Sequence, residues 1–175
     1  AKAVVAHVDF KFFEGVRSSA ALTLSAMIRC ATEGLRHAGK DQSYALGLLT
    51  TSIQAMTKRL EHEMKANSES DTLACFAEAI KLALEVCYRS GSDDIEHEPT
   101  RDPVLQLPEQ TMRPLCQLLC ECANQSVQRR MAAMNEARAS MGALFDESAI
   151  EAIEEELEVE EELMTEIIDA VGYLI

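Results

Sequence analysis

Three cysteines within seven positions, Cys116, Cys120 and Cys122, are the densest set of metal-capable side chains in the sequence. Cys116 and Cys120 stand four apart and share one face of any helix that carries them. Cys122 falls about 200° around the axis from Cys120, so a single helix cannot close the tetrahedron that zinc requires. His62-Glu63-Met64-Lys65-Ala66 begins like a zinc-protease helix, but Ala66 stands where the second ligand belongs. Gly39-Lys40-Asp41 lacks the hydroxyl residue of a phosphate-cradling loop, because Asp41 stands in its place. The histidines (His7, His37, His62, His97) are scattered, and spacing pairs none of them with a cysteine or serine nucleophile. The expectation is a protein that is not an enzyme, with no metal and no cofactor.

Carboxylates are the other candidate chemistry, and here it is binding rather than catalysis. The net charge is −14, and residues 141–175 hold 12 acids with no Lys or Arg, so the rest of the chain is nearly neutral. Such a balance excludes a nucleic-acid backbone, which needs clustered cations. It favours a basic partner, attracted over about one Debye length. The densest part of the run is Glu154, Glu155, Glu156, Glu158, Glu160, Glu161 and Glu162. A second pattern is Asp71, Glu78 and Glu85, which recur every seven residues opposite much of an apolar stripe. Three carboxylates stacked on one helix face suit a basic peptide.

The elements that must position these groups are all helical. No alternating run argues for a strand, and apolar residues recur at three and four. A short first helix covers about 2–12, with Gly15 permitting a turn after it. The second covers about 16–35, with the stripe Val16, Ala20, Leu24, Met27, Ala31 and Leu35, and ends at Gly34 and Gly39. The third covers about 41–64, with Asp41 as N-cap. The fourth covers about 71–88, with the stripe Leu73, Phe76, Ile80, Leu84 and Cys87. A polar connection over 89–107, holding Gly91, Pro99 and Pro103, reads as disordered. A fifth helix starts near Pro108 or Thr111. With Thr111 as N-cap, Pro114 falls in the first turn, where a missing N–H costs little.

The last helix opens at Ser148 and Glu151, spaced as a capping box. Its apolar stripe loses one turn, because Glu160 and Glu161 occupy the slot. Either one helix carries an acidic breach, or an acidic loop divides it. The six cysteines fall in helical segments and read as free thiols of a reducing compartment. No apolar run approaches the roughly 18 residues of a membrane span, and no N-terminal stretch has the build of a signal peptide. Antiparallel helix pairs every 40 to 50 residues predict an all-α solenoid of about three pairs. They divide as a truncated first repeat (1–38), a second (41–88), a linker (89–107) and a third with the acidic insertion (108–175). The chain ends in an apolar run without a cap, as a cut within a larger protein would. Its open ends are expected to self-associate.

The stretch from Asp9 to Ala21, with Gly15-Val16-Arg17 at its centre, resembles the junction of a HEAT repeat. Ser68-Glu69-Ser70-Asp71, the linker before Leu107-Pro108-Glu109, and the acidic stretch into Glu162-Leu163-Met164-Thr165-Glu166 follow in order. Together they resemble the importin-β superfamily, most closely its karyopherin-β3 branch. The resemblance implies a middle portion of a nuclear import receptor shuttling between cytoplasm and nucleus. Its partners would be basic cargo proteins, Ran-GTP and Phe-Gly nucleoporins, with no nucleic acid and no membrane. It implies that Val16 packs inward, that Arg17 joins a ladder between repeats, and that Asp71, Glu78 and Glu85 face cargo. A phosphatase or kinase regulatory subunit is the alternative scaffold. A helical-bundle enzyme with a carboxylate metal site is the remaining alternative, and the Glu-x-x-His pattern it needs is missed by one residue at Glu33 and His37.

Overall fold

A computed structural model describes residues 2–10, 13–88, 105–140 and 147–175. The described residues form six helices: α1 (Lys2–Val8), α2 (Glu14–His37), α3 (Ser43–Lys65), α4 (Ser70–Tyr88), α5 (Glu109–Ser140) and α6 (Glu147–Gly172). No strand occurs among the described residues. The connection over 89–104, read from sequence as disordered, lies outside the described residues.

Local chemistry explains where the helices stop. Gly39 adopts a φ of 59°, and the Lys40 N–H returns to the Leu35 carbonyl at 2.9 Å. This is a Schellman closure, with glycine where a Cβ would be strained. Asn67 closes α3 in the same way, with a φ of 51° and the Ser68 N–H on the Glu63 carbonyl at 3.1 Å. Asparagine is the residue after glycine that best tolerates this conformation. Asp41 does accept an N–H, from Ser43 at 3.1 Å, although Gln42 is the capping residue. Gly15 lies inside the first turn of α2 and makes no left-handed turn. Helix α5 begins at Glu109 rather than after Thr111, so Pro114 sits one turn deeper than expected. Its missing N–H leaves the carbonyl of solvent-facing Gln110 to water, which makes the position tolerable.

The helices form two rows. Ser18 meets Cys75, Ser25 reaches Ala79, Ser70 reaches Glu160 and Lys81 reaches Glu166, so α2, α4 and α6 lie side by side in one direction. In the other row Gln54 meets Thr111, while Lys65 and Glu121 line one groove, so α3 and α5 are also parallel. The two rows run in opposite directions: α5 places Ser126 against Glu160 and Met112 near Tyr173. This all-α arrangement is compatible with a fragment of a helical repeat array.

Helix α4 is the centre of the packing, touching α2, α3 and α6. Its stripe Leu73, Phe76, Ile80, Leu84 and Cys87 is buried as the periodicity predicts. Ala74, Ala77, Ala79 and Ala83 are buried too, and their small side chains let neighbouring helices approach closely. Helix α2 departs from expectation. Val16 is 39% exposed, whereas Arg17, Ala21, Leu24, Ser25, Ile28 and Thr32 are buried. The inward packing expected of Val16 is therefore corrected. The helix is rotated so that Arg17 reaches an acid on α3, and its buried hydroxyls find carbonyls on their own helix or on α4. The Thr32 hydroxyl donates to the Ile28 carbonyl at 2.9 Å, and that of Ser25 to the Ala79 carbonyl at 2.6 Å.

Candidate interaction surface

Two buried ionic knots hold the helices that carry the carboxylates. The first joins α2 to α3. Glu63 is 1% exposed, and Arg17 Nε lies 2.7 Å from its Oε1 without hydrogen-bond geometry. Arg59 Nε donates to the same oxygen at 2.6 Å, and the Ser68 hydroxyl donates to Oε2 at 2.5 Å. Arg17 also donates to the Phe10 carbonyl at 3.2 Å. Arg17 thus ties one helix pair to the next, and the partner it finds is Glu63. Burial would raise the Glu63 pKa. The Ser68 and Arg59 hydrogen bonds, with the charges of Arg59 and Arg17, outweigh that and hold it below the ordinary value.

The second knot lies within the acidic run. Helix α6 is continuous through it, so the acidic loop is excluded. Glu160 fills the vacant apolar slot at 1% exposure. Arg129 of α5 donates to both its oxygens, with Nη2 to Oε2 at 3.2 Å, and the Ser70 hydroxyl of α4 donates to Oε1. The missing turn of the stripe is therefore an ion pair placed where three helices meet. Burial pushes the Glu160 pKa up, but Arg129, Ser126 and Ser70 bring it below the usual value.

Both carboxyls consequently titrate lower in the folded chain than in the unfolded one. The stability they contribute is fully present above the ordinary glutamate value of 4.5. It is lost as pH falls through the lower folded values. The urea midpoint is expected to be flat above pH 4.5 and to drop below it. Glu160→Gln should flatten that acid limb, and an unchanged limb would refute the linkage.

The remaining acids form the surface. Among the run, Glu154, Glu155, Glu156, Glu158, Glu161 and Glu162 are exposed, while Glu160 is not available to a partner. On α4, Asp71 is exposed and Glu78 and Glu85 are half-buried. Glu78 and Glu85 stand on the helix that packs between α2 and α6, and Glu85 lines a groove with Arg29 of α2. Lys81 of α4 reaches Glu166 of α6 at 2.6 Å. Burial lowers the Lys81 pKa, but Glu166, Asp169 and Glu78 together raise it, so the ammonium stays charged. Cys75 sits among Glu78, Asp71 and Glu162, and burial first and these charges second raise its thiol. Carboxylates of α4 and α6 therefore converge on one surface. The seven-residue pattern was legible in sequence. The two knots were not, although Arg59 and Glu63 four apart beside an apolar stripe carried a signal.

No cluster of three or more metal-capable side chains occurs among the described residues, and no described helix is long and apolar enough to cross a membrane. No family model, no curated protein and no solved structure matches this chain.

Proposed function

We propose that the chain is a segment of an importin-β-type nuclear import receptor, a non-catalytic scaffold shuttling between cytoplasm and nucleus. Basic cargo docks on the row of α2, α4 and α6 through Asp71, Glu78 and Glu85, and the exposed acids of α6 extend that surface. Ran-GTP releases cargo by changing the pitch of the array, because rotations between neighbouring pairs accumulate along it. Phe-Gly nucleoporins contact the whole receptor. The observation that supports this reading is the convergence of α4 and α6 carboxylates on one surface around tethered Lys81. The Arg17–Glu63 tie between successive pairs agrees with it.

A fluorescence-anisotropy titration with a labelled Lys/Arg-rich peptide, at low and at physiological salt, tests the proposal. Binding is expected to saturate and to weaken with salt. Asp71, Glu78 and Glu85 changed together to Ser should weaken it by about tenfold or more. A second variant neutralises Glu154, Glu155, Glu156, Glu158, Glu161 and Glu162 but keeps Glu160, which the fold needs. Loss in that variant alone would move docking to α6. Equal affinity in all three proteins, or none, would sink the proposal.

A further inference from the structure

The acidic surface leaves one chemically distinct feature unused, on the other row. Cys116 is half-buried and Cys120 exposed, four residues apart on α5. Each lies on one helix face within electrostatic reach of the other. Side chains at this spacing have Cβ atoms about 5–6 Å apart. Two thiolates bound in line to one soft ion, each at roughly 2.3 Å, span about 4.6 Å, which this spacing accommodates by small rotamer changes. Cys122 cannot join them, because it is fully buried on another face. Met112 stands four residues before Cys116, but it is half-buried against the core, in a pocket with Leu84, Leu107 and Tyr173. The set is therefore two sulfurs with open access, too few for tetrahedral zinc and suited to a soft two-coordinate ion.

We propose that Cys116 and Cys120 form a binding site for copper(I), held linearly between their two sulfurs. Both S–H bonds break and two S–Cu bonds form. Two protons leave to solvent, and copper stays in the +1 state, so no oxidant or reductant is needed. Burial, and then the neighbouring Cys120, keep the Cys116 thiol protonated above its ordinary range, so the ion must displace that proton.

The test is an anaerobic titration of the phosphine-reduced chain with copper(I) against the chromogenic chelator bicinchoninate. One copper per chain should be withdrawn from the chelator. Cys116→Ser and Cys120→Ser should each forfeit the chelate advantage, competing roughly 100-fold or more less well. Cys30→Ser, which removes another exposed thiol, should compete as the unaltered chain does. X-ray absorption on the loaded unaltered chain should give two sulfur neighbours, a readout that does not depend on any variant folding. Three sulfurs, a doubled mass on loading, or undiminished uptake in either of the two serine variants would overturn the assignment.

Discussion

Replacing Glu63 with alanine is expected to destabilise the fold by about 3–5 kcal/mol, the usual result of leaving a buried charge without its partner. Arg17 and Arg59 are each 8% exposed, and both direct their guanidinium at Glu63. Once the carboxylate is gone, two cations remain in a site that solvates neither. The Ser68 hydroxyl loses its acceptor as well. Urea unfolding followed by helical circular dichroism measures the change. Glu63→Gln should cost less, since an amide oxygen still accepts from Arg59 or Ser68. Simultaneous replacement of Arg17, Arg59 and Glu63 by Met, Met and Leu should recover much of the loss, because an apolar triad needs no compensation. Glu61 forms an i,i+4 pair with Lys65 on the exposed face of the same helix. Glu61→Ala should leave the midpoint unchanged, because solvent already screens that pair. A small effect at Glu63 would mean that water reaches the knot.

Phe76→Ala should cost a similar amount, about 3–5 kcal/mol, by a different route. Phe76 is fully buried and is the bulkiest of the fully buried side chains. It lies midway along α4, which packs against α2, α3 and α6. The void would open inside the element that the other helices rest on, where few neighbours can collapse into it. Calorimetric melting would report a lower Tm with the helical signal intact at low temperature. Ile168→Ala on α6 is the contrast. That side chain is 62% exposed, and its loss should hardly move the melt. If Phe76→Ala melted like the parent, α4 would not be the centre of the packing.

How much of this could be read in advance depended on the kind of residue. The apolar stripe on α4 was legible because burial there follows transfer free energy: Leu73, Phe76, Ile80 and Leu84 are all buried. Helix α2 misled the periodicity, because Arg17, Ser25 and Thr32 are buried polar residues whose partners lie on other turns or other helices. A one-dimensional pattern carries no information about Glu63 when the question is which way Arg17 points. The same blindness made Glu160 look like a breach, when Arg129, Ser70 and Ser126 were waiting around it. A proline deeper in a helix is unfavourable in general, which favours the first turn for Pro114. At an exposed position the cost falls, and α5 begins about one turn earlier, at Glu109. The acidic face was readable as a heptad, but the half-burial of Glu78 and Glu85 was not.

The contacts of Ser70 with Glu160 and Lys81 with Glu166 fix α6 to α4 at two heights. One such point would be a pivot, while two set a register. Sliding α6 by one helical turn, about 5.4 Å, would break both at once. The carboxylates of the two helices are thereby locked in phase, like the teeth of two combs clamped together. Along α4 the teeth repeat about every 10 Å, seven residues at 1.5 Å each. An extended chain rises roughly 3.3 Å per residue, so it keeps step with this comb only if its cations fall at about every third position. Selection by such a device would rest on the rhythm of positive charge along a segment rather than on its amount.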